Sequence, residues 1–381
     1  MKFKADKTSI IAALAAVETH VERGNNIPIL SHIKISVTGS MGTIVGTNLN
    51  QAASASFPCA VAEPGEIFVP GDLFAKSIKG ISSPDFMFTV EAGKAVVKAG
   101  KATFRVATLP ADDFVPLPMM TAPGACTFTL AGDIISRVTN EVSFAVSTDD
   151  NRPFLHGVQW EIKDGHLWFV ATDGRKFSLL RQPVPDGCVV DGELVMPTVL
   201  LAPLSLPKWQ SDDAVKIMVT ADFIRFECGG TIVASKLLDH QFPDWRRFTP
   251  GFASQPANKT VVAIDRDALV AAIHRASLYG DAQKGSSLQM MAVDGEFKIF
   301  AQGDTGDIED SLSCEGHDMD GCTISHKVLL PVLNSFSSDV VELHFEGPTS
   351  PVTIHNPNDE NRIGLTMTVT DARWKKEEKA T

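Results

Sequence analysis

The sequence predicts an α+β protein of three tandem, similar domains, each built from two helices and antiparallel sheet. Three observations carry that prediction. The 381 residues are too many for one ordinary domain. An amphipathic helix entered from a strand recurs three times. A second helix-forming stretch recurs at intervals of 127 and 128 residues, one third of the chain. That period is too long for a solenoid repeat and fits tandem domains.

The first helix of each domain follows a short strand. Phe3-Lys4-Ala5-Asp6 leads into Ile10, Ile11, Leu14, Val17 and Val21. Phe128-Thr129-Leu130 leads into Ile134, Ile135, Val138 and Val142, and Val261-Val262-Ala263-Ile264 into Leu269, Val270 and Ile273. Steps of three, four and seven place these side chains on one helical face. The second helices are FVPGDLFAKSIKG (68–80), LVMPTVLLAPLSL (194–206) and TISHKVLLPVLNS (323–335), which align at Pro70, Pro197 and Ser325. Proline or serine suits the first turn or N-cap, where a backbone N–H lacks a helical partner. A third echo pairs Ala107-Thr108-Leu109-Pro110 and Phe114 with Ala234-Ser235-Lys236-Leu237 and Phe242. The runs Thr43–Thr47, Val96–Val106, Leu167–Ala171, Ile224–Val233 and Lys298–Ala301 read as antiparallel strands. The expected domains are 1–122, 123–253 and 254–372, with a charged tail at 373–381.

Composition narrows the function. Hydrophobic residues at 44% and charged residues at 21% exclude a disordered chain. Val199–Ala202 lies between Pro197 and Pro203, far short of the ~20 apolar residues of a membrane span. Asp6 and Thr8 interrupt the stretch where a secretion signal needs an apolar core. A soluble, cytoplasmic protein without a membrane partner is expected. Cys59, Cys126, Cys188, Cys228, Cys314 and Cys322 form no CxxC pair, so neither a zinc ribbon nor a disulfide framework is expected. Net charge is −12, divided as +1, −4 and −9 over the three expected domains, the tail counted with the last. Phosphate affinity comes from Lys and Arg, so any contact with nucleic acid must be local or topological.

Catalytic motifs are missing. Gly100-Lys101-Ala102-Thr103 lacks the earlier glycine and the Mg²⁺-binding hydroxyl of a phosphate loop and reads as a strand turn. Neither GxSxG nor HExxH occurs. Asp239-His240 with Asp244, and His317-Asp318 with Asp320, read as polar turns, and Asp304–Asp310 lacks the spacing of a calcium loop. The expectation is no cofactor, no metal and no catalytic residue; a convergent metal-dependent site around Asp239 and Asp244 is the enzymatic alternative. Two segments look purposeful. FVATDGRKFSLLR (169–181) is a strand, an Asp-Gly turn and a second strand. ASKLLDHQFPDWRRFTP (234–250) gathers Phe242, Trp245 and Phe248 with Arg246 and Arg247 around Pro243, as an interaction site or a linker pinning two domains does.

Met1-Lys2-Phe3, IPIL at 27–30, TLPADDFVPLP at 108–118, VATDGRK at 170–176 and SKLLDHQFPDWRR at 235–247 closely resemble the bacterial DNA polymerase III beta subunit, the sliding clamp. The resemblance runs from Met1 to about Val369 and implies a DNA clamp fold whose two chains join head to tail. The resulting homodimeric ring encircles double-stranded DNA without sequence preference, as a processivity factor. It implies DNA contacts at Arg23, Lys76, Lys79, Arg137, Arg152, Lys208 and Arg275. It implies a pocket for hydrophobic peptides of the replicative polymerase alpha subunit, the clamp loader and repair proteins. By family position the pocket is walled by Leu155, Thr172, Gly174, Arg175, Phe177, Pro243, Arg247, Phe248, Val352 and Met367. Leu278 and Tyr279 are the implied dimer contacts. The chain departs from the family pattern at Arg175, where many members have histidine, at Thr368 and Thr370 in the last strand, and at the acidic Thr148-Asp149-Asp150 loop. A specialised paralogue serving a repair polymerase, or not loaded on DNA, is the alternative within the resemblance.

Overall fold

The computed structural model describes residues 1–21, 28–110, 120, 126–189, 192–205, 209, 214–248, 260–279, 287–304 and 306–370. Arg23, Phe114, Lys208, the expected 253/254 boundary and the tail 373–381 lie outside them, as does the side chain of Phe248. The chain forms two compact units. One comprises Met1–Ser136, Pro185–Asp191 and Val199–Leu237; the other comprises Arg137–Val184, Gly192–Thr198 and Leu238–Thr381.

In the first unit, Asp6 caps helix α1 (Lys7–Val17) by accepting the amides of Thr8 and Ser9 at 2.8 and 3.1 Å. Helix α1 buries Ile10, Ala13, Leu14, Ala16 and Val17. Ile11, expected on that face, is only half-buried, because one residue turns a helix by about 100° away from Ile10. Helix α2 (Gly71–Gly80) starts after Pro70 and buries Phe74, Ala75 and Ile78. A twelve-stranded sheet backs both helices. Its main path runs Ala102–Ala107, Lys94–Ala99, Asp85–Glu91, Lys2–Asp6, Gln51–Glu63, Thr231–Lys236, Phe223–Cys228, Ala214–Val219 and Cys126–Ala131. The expected runs 96–106 and 224–233 are hairpins rather than single strands. They fold back at Gly100 and at Gly229-Gly230, with φ of 59°, 53° and 72° that only glycine adopts without strain.

Helix α3 (Gly132–Arg137) runs into a π-helical turn, Val138–Val142, burying Ile135, Val138 and Val142. The second helix expected in the middle segment shrinks to a 3₁₀ turn, Thr198–Leu200, and the four-residue α4 (Leu201–Leu204). The second unit adds α5 (Arg266–Ser277), capped by Asp265, and α6 (His326–Asn334).

A nine-stranded sheet in the second unit runs Glu193–Pro197, Gly157–Lys163, His166–Thr172, Lys176–Pro183, Asp359–Thr366, Val352–Asn356, Val340–Phe345, Thr260–Asp265 and Glu315–Gly316. A four-stranded sheet runs Gly306–Ser313, Glu296–Gly303, Ser287–Val293 and Met319–Ser325.

The sequence repeat reappears as strand pairing. Gln51–Glu63 pairs with Thr231–Lys236 in the first unit. Lys176–Pro183 and Asp359–Thr366, close to one repeat further along, pair antiparallel in the second. Among the described residues no helix is long and apolar enough to cross a membrane.

Candidate peptide-binding cleft

The Asp-Gly turn predicted from sequence closes the hairpin of His166–Thr172 and Lys176–Pro183. Thr172 Oγ1 accepts the Gly174 amide at 3.0 Å and donates to the Lys176 carbonyl at 2.8 Å. Asp173 Oδ1 accepts the amides of Arg175 and Lys176, each at 2.8 Å. Gly174 has φ +84°, and a Cβ there would meet Arg152 Nη1 at 3.0 Å. On the far side of the hairpin, Phe177 pairs with Leu365, and the Met367 amide donates to the Arg175 carbonyl at 2.8 Å. The turn thus joins Thr172, Gly174, Arg175, Phe177 and Met367, although the last is nearly 200 residues away in sequence.

One face of this sheet carries a cluster of Leu155, Trp168, Val170, Phe177, Leu179, Val195, Phe242, Trp245 and Leu365, with Phe154, Leu238 and Met367 packed against it. The 238–248 segment covers that face. The Leu238 amide donates to the Val195 carbonyl at 3.0 Å. Trp245, only 3% exposed, stacks obliquely on Trp168 with ring centroids 5.3 Å apart. Beside it lies an open cleft of about 500 Å³ lined by Phe154, Gln241, Phe242, Pro243, Asp244 and Arg247. Its walls are mainly apolar. Arg247 is largely exposed and holds Asp244 at 3.5 Å. The geometry suits a short segment of chain with apolar side chains seated against the walls and polar groups meeting the rim.

Of the residues implied by resemblance, Leu155, Phe177 and Met367 belong to this cluster, and Pro243 and Arg247 line the cleft. Val352 does not share the cluster. Its backbone pairs with Thr366, but its side chain lies in the separate core that includes Leu333, Phe336 and Ile354. In strand alternation Val352 and its register partner Thr366 face the helix side of the sheet, whereas Leu365 and Met367, on either side of Thr366, turn the other way. Phe154, Gln241 and Asp244 line the cleft without having been expected there. A three-residue 3₁₀ turn and an irregular segment have no hydrophobic period from which to find them. Trp168 was hidden differently: every residue from Leu167 to Ala171 is buried, so alternation does not tell its face.

The described cations implied for DNA are already engaged. Lys76 pairs with Asp72, Lys79 with Glu18 and Arg275 with Asp310, all at 2.7 Å, and Arg152 with Asp149 at 3.6 Å. Such exposed pairs contribute only ~0–1 kcal/mol, so a phosphate can displace the carboxylate. Arg137 differs. It is half-buried, forks onto Glu141 at 3.0 Å and also bonds Asp359, which commits it to structure. Leu278 is 80% and Tyr279 40% exposed at the end of α5, an unusual placement for large apolar side chains. Among the described residues no cluster of His, Cys, Asp and Glu could hold a metal ion.

Comparisons with known proteins converge on the same segments. Profiles of the DNA polymerase III beta subunit match with the N-terminal domain at residues 1–118, the central domain at 129–244 and the C-terminal domain at 256–370. The beta sliding clamp of Caulobacter vibrioides is 26% identical over 372 residues, covering 94% of this chain and 97% of the relative. That of Pseudomonas putida is 28% identical over 374 residues, covering 96% and 99%. A crystal structure of a sliding clamp (DNA polymerase III subunit beta) from Pseudomonas aeruginosa, bound to griselimycin, matches with a TM-score of 0.87 at 26% identity. It covers 97% of this chain and 99% of that one.

Proposed function

Because the chain belongs to the DNA polymerase III beta-subunit family, the sliding clamps, we propose that two copies close head to tail around duplex DNA and tether the replicative polymerase through the Leu155–Phe177–Pro243–Arg247–Met367 cleft. The family contributes processivity to replication rather than catalysis. The observation that carries the cleft assignment is continuity: Phe154 and Phe242 belong both to the apolar cluster that gathers Leu155, Phe177 and Met367 and to the lining of the depression, which Pro243 and Arg247 share. Clamp loader and repair proteins are proposed to use the same cleft in turn, since one groove admits one peptide at a time.

Two sheet edges that no further strand covers among the described residues support the homodimer. Ala102–Ala107 ends the twelve-stranded sheet, and its hairpin carries Lys94, Lys98, Lys101 and Arg105. Gly306–Ser313 ends the four-stranded sheet and is flanked or lined by Asp304, Asp307, Glu309 and Asp310. An edge strand offers unpaired N–H and C=O groups to another chain. A basic edge on one copy and an acidic edge on the other complement each other, and exposed Leu278 and Tyr279 lie beside the acidic one, Tyr279 against Gly306. For DNA, the proposal retains Lys76, Lys79, Arg152 and Arg275, with Arg23 and Lys208, and drops Arg137.

Leu155→Asp places a charge in the apolar cluster. The expected result is loss of polymerase stimulation on primed circular DNA with the dimer retained in light scattering. Undiminished stimulation would refute the cleft assignment.

A further inference from the structure

Beneath the cleft lies a polar clasp that none of the expected peptide contacts includes. Glu161, on strand Gly157–Lys163, receives the Arg246 guanidinium at 2.6 Å on Oε1 and the Trp245 indole N–H at 3.3 Å on Oε2. Arg246 in turn lies over the Trp245 ring, 4.4 Å from its centroid. The three side chains therefore close a triangle on one residue of the sheet. Trp245 begins the one-turn 3₁₀ helix Trp245–Phe248. The same turn carries Arg247, and the residues just before it, Pro243 and Asp244, form the cleft wall. So short a turn has little stability of its own. Its position depends on what holds it.

We infer that Glu161 and Arg246 are positioning residues for the partner cleft: they lock the 243–248 wall against the sheet, so that the peptide meets a preformed groove. This rests on the peptide-cleft reading above. The electrostatics make the lock asymmetric. Glu193, on the neighbouring strand, pairs in register with Glu161 and is bonded by Gln159 Nε2. Its carboxyl is raised by burial and by the Glu161 charge, while the Gln159 hydrogen bond and, less strongly, Arg246 oppose the shift. Arg246 thus offsets the repulsion between two carboxylates. Removing it leaves them facing each other across a half-buried site, whereas neutralising Glu161 leaves Arg246 close to Glu193.

The positioning acts through the fraction of molecules whose wall is in place, since apparent affinity falls in proportion to that fraction. The test measures binding of the full-length clamp to immobilised polymerase alpha subunit from the same genome. Arg246→Met is expected to weaken binding about tenfold and Glu161→Gln about threefold, both with the dimer intact. Arg246→Lys keeps a charge for Glu161 and is expected to recover most of the affinity. A merely stabilising role would lower the melting temperature of Arg246→Met and leave affinity near that of the parent protein, which would overturn the inference. Leu155→Asp runs alongside. If it abolishes binding while Arg246→Met and Glu161→Gln do nothing, the clasp inference fails and the cleft stands; if Leu155→Asp is itself silent, the cleft reading has failed.

Discussion

His20 shows what a single side chain contributes and when it stops doing so. It is fully buried just beyond α1, with Thr19 Oγ1 at 3.1 Å from Nδ1 and no hydrogen-bond partner for Nε2 among the described residues. Burial pushes its imidazole down to about 4. An unfolded histidine takes up a proton near pH ~6.5, so the unfolded state binds more protons in between. Stability from this site is therefore complete above about pH 6.5 and falls as the pH drops toward 4. The full loss is about 3 kcal/mol. Denaturant unfolding of parent and His20→Leu proteins across that window checks it: their stability difference is expected to shrink or reverse on acidification, and a constant difference contradicts it. The sequence offers no sign of this residue's role. A histidine among apolar neighbours reads the same whether it is exposed or sealed; only packing removes its water.

Elements were most legible where chemistry is local. Thr172-Asp173-Gly174 announces its hairpin because the Asp173 carboxylate and the Gly174 backbone supply what the turn requires. Gly174→Ala is expected to lower stability by about 1–2 kcal/mol through its positive φ. The Arg152 tip near the new methyl can swing aside. Denaturant titration gives the stability, and weaker polymerase binding by the same variant would follow from the displaced Arg175 backbone. Long-range fastening was not legible. Arg362, 2% exposed, donates to the Leu179 and Glu141 carbonyls and to Ser335 Oγ, and so joins two strands, the π-turn and the end of α6. Burial lowers its guanidinium to about 10, which leaves it charged near neutrality. Arg362→Met is expected to destabilise the second unit by about 3–5 kcal/mol, measured by thermal unfolding, because Glu141 loses a buried partner.

At the scale of the whole molecule, ring closure and DNA retention become separate measurements. Small-angle scattering on an absolute scale is expected to give a particle of twice 41.0 kDa with the depleted short distances of a hollow disc. Arg105→Glu combined with Leu278→Asp is expected to shift it to the monomer, since one opposes the acidic edge and the other charges the apolar contact. A dimer that survives both changes contradicts the proposed junction. Four of the five described DNA candidates hold carboxylates that phosphate must displace, and Arg137 is committed elsewhere. Few counterions are then released on contact, so non-topological affinity for linear duplex is expected to be weak and to fall only shallowly with salt. A steep salt dependence in fluorescence anisotropy contradicts that picture.

The sequence by itself determined the repeat, the helix faces, the Asp-Gly hairpin and the absence of familiar catalytic motifs. Each is encoded by residues within a few positions of one another, or by a pattern that returns after 127 or 128 residues. Resemblance added the family and most of the cleft. Only the tertiary structure decided that Val352 belongs to a different core, that Arg137 is taken by Glu141 and Asp359, and that Glu161 holds the cleft wall. Those outcomes depend on which face of a strand turns inward and on which charges meet after strands distant in sequence have paired. Neither quantity exists before the chain folds.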